Sequence, residues 1–230
     1  MKKILLMAAA AMMTAASASA QARFDKGTFT LQPRIGGTGS MFVNAPDMQA
    51  GSKTVESTAT GGSFIGIDAE YYLSRRLGLA AGINYSQAGT GWEEYDYTGA
   101  GGMKMEVKET AWKTGYINVP VTINWYVLKG LALKTGLQFG FLTSADDYSR
   151  TEYSTGGVDN TLTAENSIKD DFNKFDVSLP IGLSYEFKVP IVLDLRYNIG
   201  LTNVNKNATA NGKDYSNIQA VFTVGYKFKL

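Results

Sequence analysis

The chain has no cysteine and no histidine. Without cysteine there is no disulfide framework, no thiol nucleophile and no lipid-bearing N-terminal cysteine. Without histidine, Ser-His and Cys-His nucleophile pairs and imidazole metal sites are excluded. Phosphate-cradling glycine loops and dinucleotide fingerprints are also missing. Nor is there an excess of either charge: Lys2 and Lys3 account for two of the 22 basic side chains, and the remaining 20 face 21 acidic ones. That balance carries no nucleic-acid footprint. No catalytic residue, metal ligand or cofactor site is assigned on these motifs, and the protein is expected not to be an enzyme.

Long hydrophobic runs are scarce too. The apolar stretch from Ile4 to Met13 follows Lys2 and Lys3 and gives way to Ala18-Ser19-Ala20. A membrane-crossing helix needs about 20 apolar residues, so this shorter segment reads as a secretory signal peptide cleaved after Ala20. The expected organisation is a signal peptide over 1–20 and a single domain over 21–230. Beyond residue 20, Gly, Asn, Thr and charges interrupt every hydrophobic segment, which excludes a helical membrane protein.

What is present is alternation with a period of two, the mark of a strand with two unlike faces. Ile65, Ile67, Ala69, Tyr71 and Leu73 alternate with Gly66, Asp68, Glu70 and Tyr72; Leu77, Leu79, Ala81, Ile83 and Tyr85 continue the pattern. It is clearest from Thr114 to Leu128, where Ile117, Val119, Val121, Ile123, Trp125 and Val127 oppose Asn118, Pro120, Thr122 and Asn124. Further runs lie at Leu131 to Phe141, Phe175 to Tyr185, Ile191 to Ile199 and Gln219 to Leu230. A first strand around Phe29 to Ile35 brings the number to about eight. There the apolar phase shifts near Gly36-Gly37 before Phe42, as a β-bulge would produce, and where this strand ends is not fixed by the pattern.

The connections alternate between tight turns, at Ser74 to Arg76, Lys129-Gly130 and Lys188 to Pro190, and long polar loops, at 43–62, 90–113, 145–174 and 203–216. Short turns on one rim and long loops on the other characterise outer-membrane barrels. The expected fold class is all-β: an antiparallel up-and-down transmembrane β-barrel of about eight strands, with short periplasmic turns and long extracellular loops, in the cell outer membrane. The alternative is a soluble periplasmic lipocalin-like carrier, which also has eight strands but keeps its apolar face inside. Against it stands volume, because the Ile, Leu, Val, Phe, Trp and Tyr of one face exceed what an eight-stranded interior holds, whereas Gly and small polar groups fit.

Turned inward, the polar faces bring Arg34, Lys134, Arg196 and Lys227 together with Asp68, Glu70, Asp176, Glu186 and Asp194. Charges in a low-dielectric interior must pair, so an interlocking network is expected. Aromatics gather near the strand ends that carry the tight turns, as Tyr71 and Tyr72, Trp125 and Tyr126, Tyr185 and Phe187, and Tyr226 and Phe228; they are expected to form the periplasmic girdle.

Several strings resemble the PorT-like outer-membrane β-barrel family: YINVPVTINWY, GLQFGFLTSAD, FDVSLPIGLSYEF, RYNIGLTNV and the terminal VGYKFKL. The resemblance implies an outer-membrane barrel, and for PorT itself a link to a protein-secretion system. The C-terminus departs from the usual barrel signal in ending on Leu230 rather than Phe, with Phe228 in the same phase. Pro120 and Pro180, within strands, each remove a ladder donor.

Three features deserve testing as sites. Asp68 and Glu70, two apart on one face, are the only carboxylate arrangement suited to acid-base work, against the plainer reading as network partners. Loop 145–174 holds Asp146, Asp147, Glu152, Asp159, Glu165, Asp170 and Asp171, a set of oxygen ligands for a hard divalent cation or for cation-bridged lipopolysaccharide, though without the spacing of a known ligand loop. Trp92, Tyr95, Tyr97, Tyr148, Tyr153 and Tyr215 lie in the long loops, where they either anchor a protein or glycan partner or pack the loops together. The expected partners are outer-membrane lipid and lipopolysaccharide and a protein or glycan at the loops, with no nucleic acid. The expected role is structural or surface interaction, with a secretion or transport assembly as the alternative. With about eight strands the barrel is too narrow for a porin-like channel.

Overall fold

A computed structural model describes residues 24–50, 53–98, 104–155, 158–206 and 214–230. The expected signal peptide lies outside the described residues. Eight strands dominate: β1 (Phe29–Val43), β2 (Thr60–Ser74), β3 (Leu77–Trp92), β4 (Lys104–Leu128), β5 (Leu131–Thr155), β6 (Phe175–Glu186), β7 (Ile191–Gly200) and β8 (Ser216–Tyr226). Each pairs antiparallel with its neighbours in the chain. The ring closes where β1 meets β8, from Arg34 opposite Gly225 to Val43 opposite Ser216. Closure satisfies the backbone groups that lipid cannot.

The alternation sorts the side chains as expected. Ile35, Ile65, Ile83, Ile123, Trp125 and Phe222 are exposed on the outside, while all nine charges expected inside are buried. From Ile65 to Leu73 the outward apolar row covers ~27 Å of strand, or about 21 Å of height at a tilt of about 40°, close to the ~25 Å apolar band of such barrels. Monomeric soluble proteins rarely expose apolar patches beyond a few hundred Å². Among the described residues the barrel interior is lined by charges and amides, the reverse of the apolar lining a lipocalin-like carrier needs, which overturns the carrier alternative.

The tight turns lie where they are expected, and Gly130, with φ 82°, supplies the left-handed residue of its two-residue hairpin. The first strand differs. Its pairing with β2 runs without a shift from Phe29–Tyr71 to Ser40–Thr60, so there is no bulge at Gly36-Gly37, and Phe42 stays in phase and is buried inside. The girdle also needs correction. Tyr71, Trp125, Tyr226 and Phe228 are exposed on the outer surface, whereas Tyr72 and Tyr126 are buried in the barrel.

The strand prolines have a physical account. On the β3–β4 ladder, pairing is continuous through Ala81–Val121 and resumes at Asn84–Asn118, so the gap falls where Pro120 faces Gly82. On the β5–β6 ladder, the gap between Gln138–Ser178 and Thr135–Ile181 falls where Pro180 faces Gly136. Each proline directs its missing donor toward one neighbour only. On the other side the ladder continues through Pro120–Gln138 and Pro180–Asn198.

Candidate functional site

The interior is layered. Nearest the tight turns, Lys227 reaches Glu70 at 3.0 Å and Glu186 at 3.3 Å. Tyr126 donates to Glu70 at 2.9 Å, Asn124 donates at 2.8 Å, and the Tyr72 and Tyr126 hydroxyls lie 3.0 Å apart. One layer up, Asp194 is held by Lys134 at 2.6 Å, Arg196 at 3.4 Å and Arg34 at 3.6 Å, and Asp68 by Arg34 at 3.1 Å. The upper group has three cations around two carboxylates, the lower one cation between two. Each excess offsets the other, so these buried charges sum to zero. Asp176 stands apart and accepts from the Thr202 hydroxyl at 2.5 Å.

Asp68 and Glu70, the candidate acid-base pair, are thus divided between two ion networks. Both are buried and engaged with cations. The geometry supports the structural role: neither carboxylate meets an open cavity in which a substrate would sit.

Above an amide layer that includes Asn84, Asn118, Asn198 and Gln219, an apolar cap seals the barrel. Phe42, Tyr116, Leu142, Phe172, Val204 and Tyr215 pack together, joined by Trp112 and Ile168. Phe172 and Val204 come from the connecting segments, which fold inward and tie themselves down: Asn173 N–H donates to the Val204 carbonyl at 2.9 Å, and Val204 N–H to that of Tyr215 at 2.8 Å. The cap uses two of the loop aromatics. Tyr215 is part of it, and Trp92 is buried edge-on against Trp112 at 5.0 Å.

Beyond the cap the long loops are not the irregular segments the sequence suggests. The upper parts of β4 and β5 continue as a hairpin, from Gly115–Ser144 to Met105–Tyr153. Two further strands flank it: Tyr95–Thr98 pairs with β4, and Val158–Ser167 pairs with β5 along its full length without a shift. The result is a four-stranded sheet rising ~35 Å along its strands. The sequence does not mark it because Ser149, Thr151 and Asn160 interrupt the apolar residues of one face and a register shift between Val107 and Glu109 breaks their phase.

Its outer face is acidic. Asp96 sits opposite Glu106, and Glu106 opposite Glu152, placing three carboxylates abreast. Like charges so placed repel. Lys108 relieves part of this by pairing with Glu106 and, at 3.8 Å, with Glu94. Its ammonium is held above the ordinary lysine range, first by the hydrogen bond to Glu106. The other face carries Tyr95, Tyr97, Met105, Val107, Tyr153 and Leu162, with Tyr97 and Leu162 exposed. An open groove of about 760 Å³ runs along the tip, lined among others by Asp96, Tyr97, Glu106, Glu152, Tyr153 and Asp159. The loop acids do not converge: Asp146 pairs across to Ser167 and Asp159 to Ser154 at opposite ends of one ladder. Among the described residues no group of three or more potential ligands is placed to hold a metal ion.

Residues 18–206 match the family model described as outer membrane protein beta-barrel domain. The chain belongs to that family. As an outer-membrane barrel it places its tight turns in the periplasm and the protruding sheet outside the cell. No curated protein matches its sequence. Among solved structures it is similar to Ail, the attachment invasion locus protein of Yersinia pestis, at 10% identity over 88% of this chain and 99% of that one, with a TM-score of 0.39. It is also similar to Neisserial surface protein A, at 15% identity over 88% and 97% of the two chains with a TM-score of 0.38. For OprG from Pseudomonas aeruginosa the values are 9%, 90%, 98% and 0.37.

Proposed function

We infer that this outer-membrane barrel is a non-enzymatic display scaffold: a sealed, rigid cylinder that holds a folded sheet away from the cell for a protein or glycan partner. The observation that carries this reading is the four-stranded sheet beyond the cap, which stands clear of the lipid-facing wall yet is held by long antiparallel ladders. Export by a signal peptide cleaved after Ala20 belongs to the same reading, and mass determination of the purified protein tests it by loss of residues 1–20. For surface display the test is a single reporter cysteine, which the cysteine-free chain makes clean. Leu162→Cys is expected to react with a membrane-impermeant maleimide on intact cells; labelling only after lysis refutes the reading. A hydrolytic activity lost in the pair Asp68→Asn and Glu70→Gln, in a form that still folds, would contradict the non-enzymatic reading.

A second reading, membrane component of a PorT-like secretion assembly, is favoured by the periplasmic rim. Among the described side chains its turns and termini expose Lys26, Arg75, Arg76, Lys129, Lys188 and Lys229 against Asp25, which is already paired with Arg75 at 3.0 Å. Charge reversal at Arg75, Arg76, Lys129 and Lys188 then releases an acidic periplasmic partner during co-purification, whereas under the display reading it changes nothing outside the cell.

A further inference from the structure

The strand Val158–Ser167 is an edge without the usual protection. Among the described residues it pairs on one side only, with β5. Nine of its ten residues are exposed, and Val158 and Leu162 are 62% and 60% exposed. Natural sheets blunt such edges with proline, lysine, bulges or short length. This one has no proline and no lysine, keeps its register throughout and runs ten residues. A row of unpaired backbone donors and acceptors is therefore presented to the outside.

The side chains along the edge define what suits it. Asp159, Thr161, Thr163 and Glu165 share one face, next to Glu152 on β5 and, beyond it, Glu106 and Asp96. On that face four carboxylates and one cation, Lys104, line the groove at the tip, Lys108 pairs with Glu106, and Arg150 sits opposite Thr163, leaving carboxylates in excess. The opposite face of the same strand offers Val158, Asn160, Leu162 and Ala164. An added strand has the same period, so its alternate residues meet acidic and apolar surroundings in turn.

We propose that this edge is a docking site for an extended cationic segment of another polypeptide, with lysine or arginine at alternate positions and apolar residues between them. The segment adds a fifth strand to the protruding sheet, and its cations lie against Asp159 and Glu165 of the edge and reach Glu152 one strand further in. A second copy in the same membrane does not fit. The two-fold axis relating membrane neighbours runs along the membrane normal, which brings two upright edges together parallel and turns the acidic face of one copy to the side of the other's apolar face, so the carboxylates gain no cation. The proposal rests on the display function and specifies its partner.

The test uses the full barrel purified in detergent and three ten-residue peptides: alternating Lys-Val, alternating Glu-Val, and a Lys block followed by a Val block. The expected result is saturable binding of alternating Lys-Val with slowed amide hydrogen exchange confined to the protruding sheet around residues 158–167. Glu152→Gln with Asp159→Asn and Glu165→Gln should weaken it at least tenfold, and the barrel's gel mobility before boiling reports that the variant is folded. Equal binding of the block peptide, or binding that leaves exchange at 158–167 unchanged, overturns the proposal. Failure of the display reading looks different: Leu162→Cys would escape labelling on intact cells while the peptide still protected the strand in detergent.

Discussion

At the residue scale, the interior turns on Asp194, a carboxylate 1% exposed and contacted by Lys134, Arg34 and Arg196. Removing one partner from a buried ion network leaves uncompensated charge, which costs about 3–5 kcal/mol. Asp194→Asn is accordingly expected to lower the unfolding free energy of the barrel in detergent by that much, read as a lower urea midpoint, and an unchanged midpoint would show that the charges are solvated in place. Phe42 makes a second prediction. Packed at 5.8 Å against Phe172 in the cap, its truncation to Ala should cost about 3–5 kcal/mol. All nine inward charges were legible in the sequence, because charge on an alternating strand can only face away from lipid. Phe42, Tyr72 and Tyr126 were not. The rule that apolar residues face out fails at the two ends of the barrel, where apolar side chains close the interior.

At the element scale, the eight strands could be read wherever lipid contacts one face, since lipid enforces apolar alternation. Their upper reaches could not. From Lys104 to Lys113 and from Ala145 to Thr155, Ser149 and Thr151 interrupt the apolar face and a register shift between Val107 and Glu109 breaks its phase, so the period vanishes from the hydrophobic pattern although the ladder continues. The lipid-facing part gives a signed prediction. Ile123, 49% exposed on the outer surface, is expected to cost about 2–4 kcal/mol when replaced by Lys near the bilayer midplane. The same replacement at Leu162 in the protruding sheet should leave unfolding unchanged. Replacing residues 146–166 by a short glycine turn should also spare the barrel, because the cap residues Ala145, Ile168 and Phe172 remain. Loss of heat-modifiable migration in that deletion would mean that the hairpin is part of the fold's foundation.

At the scale of the whole molecule, a ring of eight strands is filled by two mutually neutralising ion networks, closed above by an apolar cap and below by the Tyr72–Tyr126–Ala132 cluster against which Phe24 packs. Such a cylinder transmits no bulk flow, and planar bilayers containing the purified protein are expected to show no steady conductance. The ends of the molecule differ in charge, with cations on the periplasmic rim and carboxylates on the external sheet. The wall between them fixes their distance and orientation. The central claim is that the apolar face is outside and the polar face inside. A single-cysteine spin-label scan across Ile117 to Trp125 in reconstituted membranes tests it most directly. The structure predicts oxygen accessibility that alternates, high at 117, 119, 121, 123 and 125 and low at the even positions between them. Accessibility to a water-soluble quencher at those odd positions, with the even ones shielded, would contradict it and turn the barrel inside out.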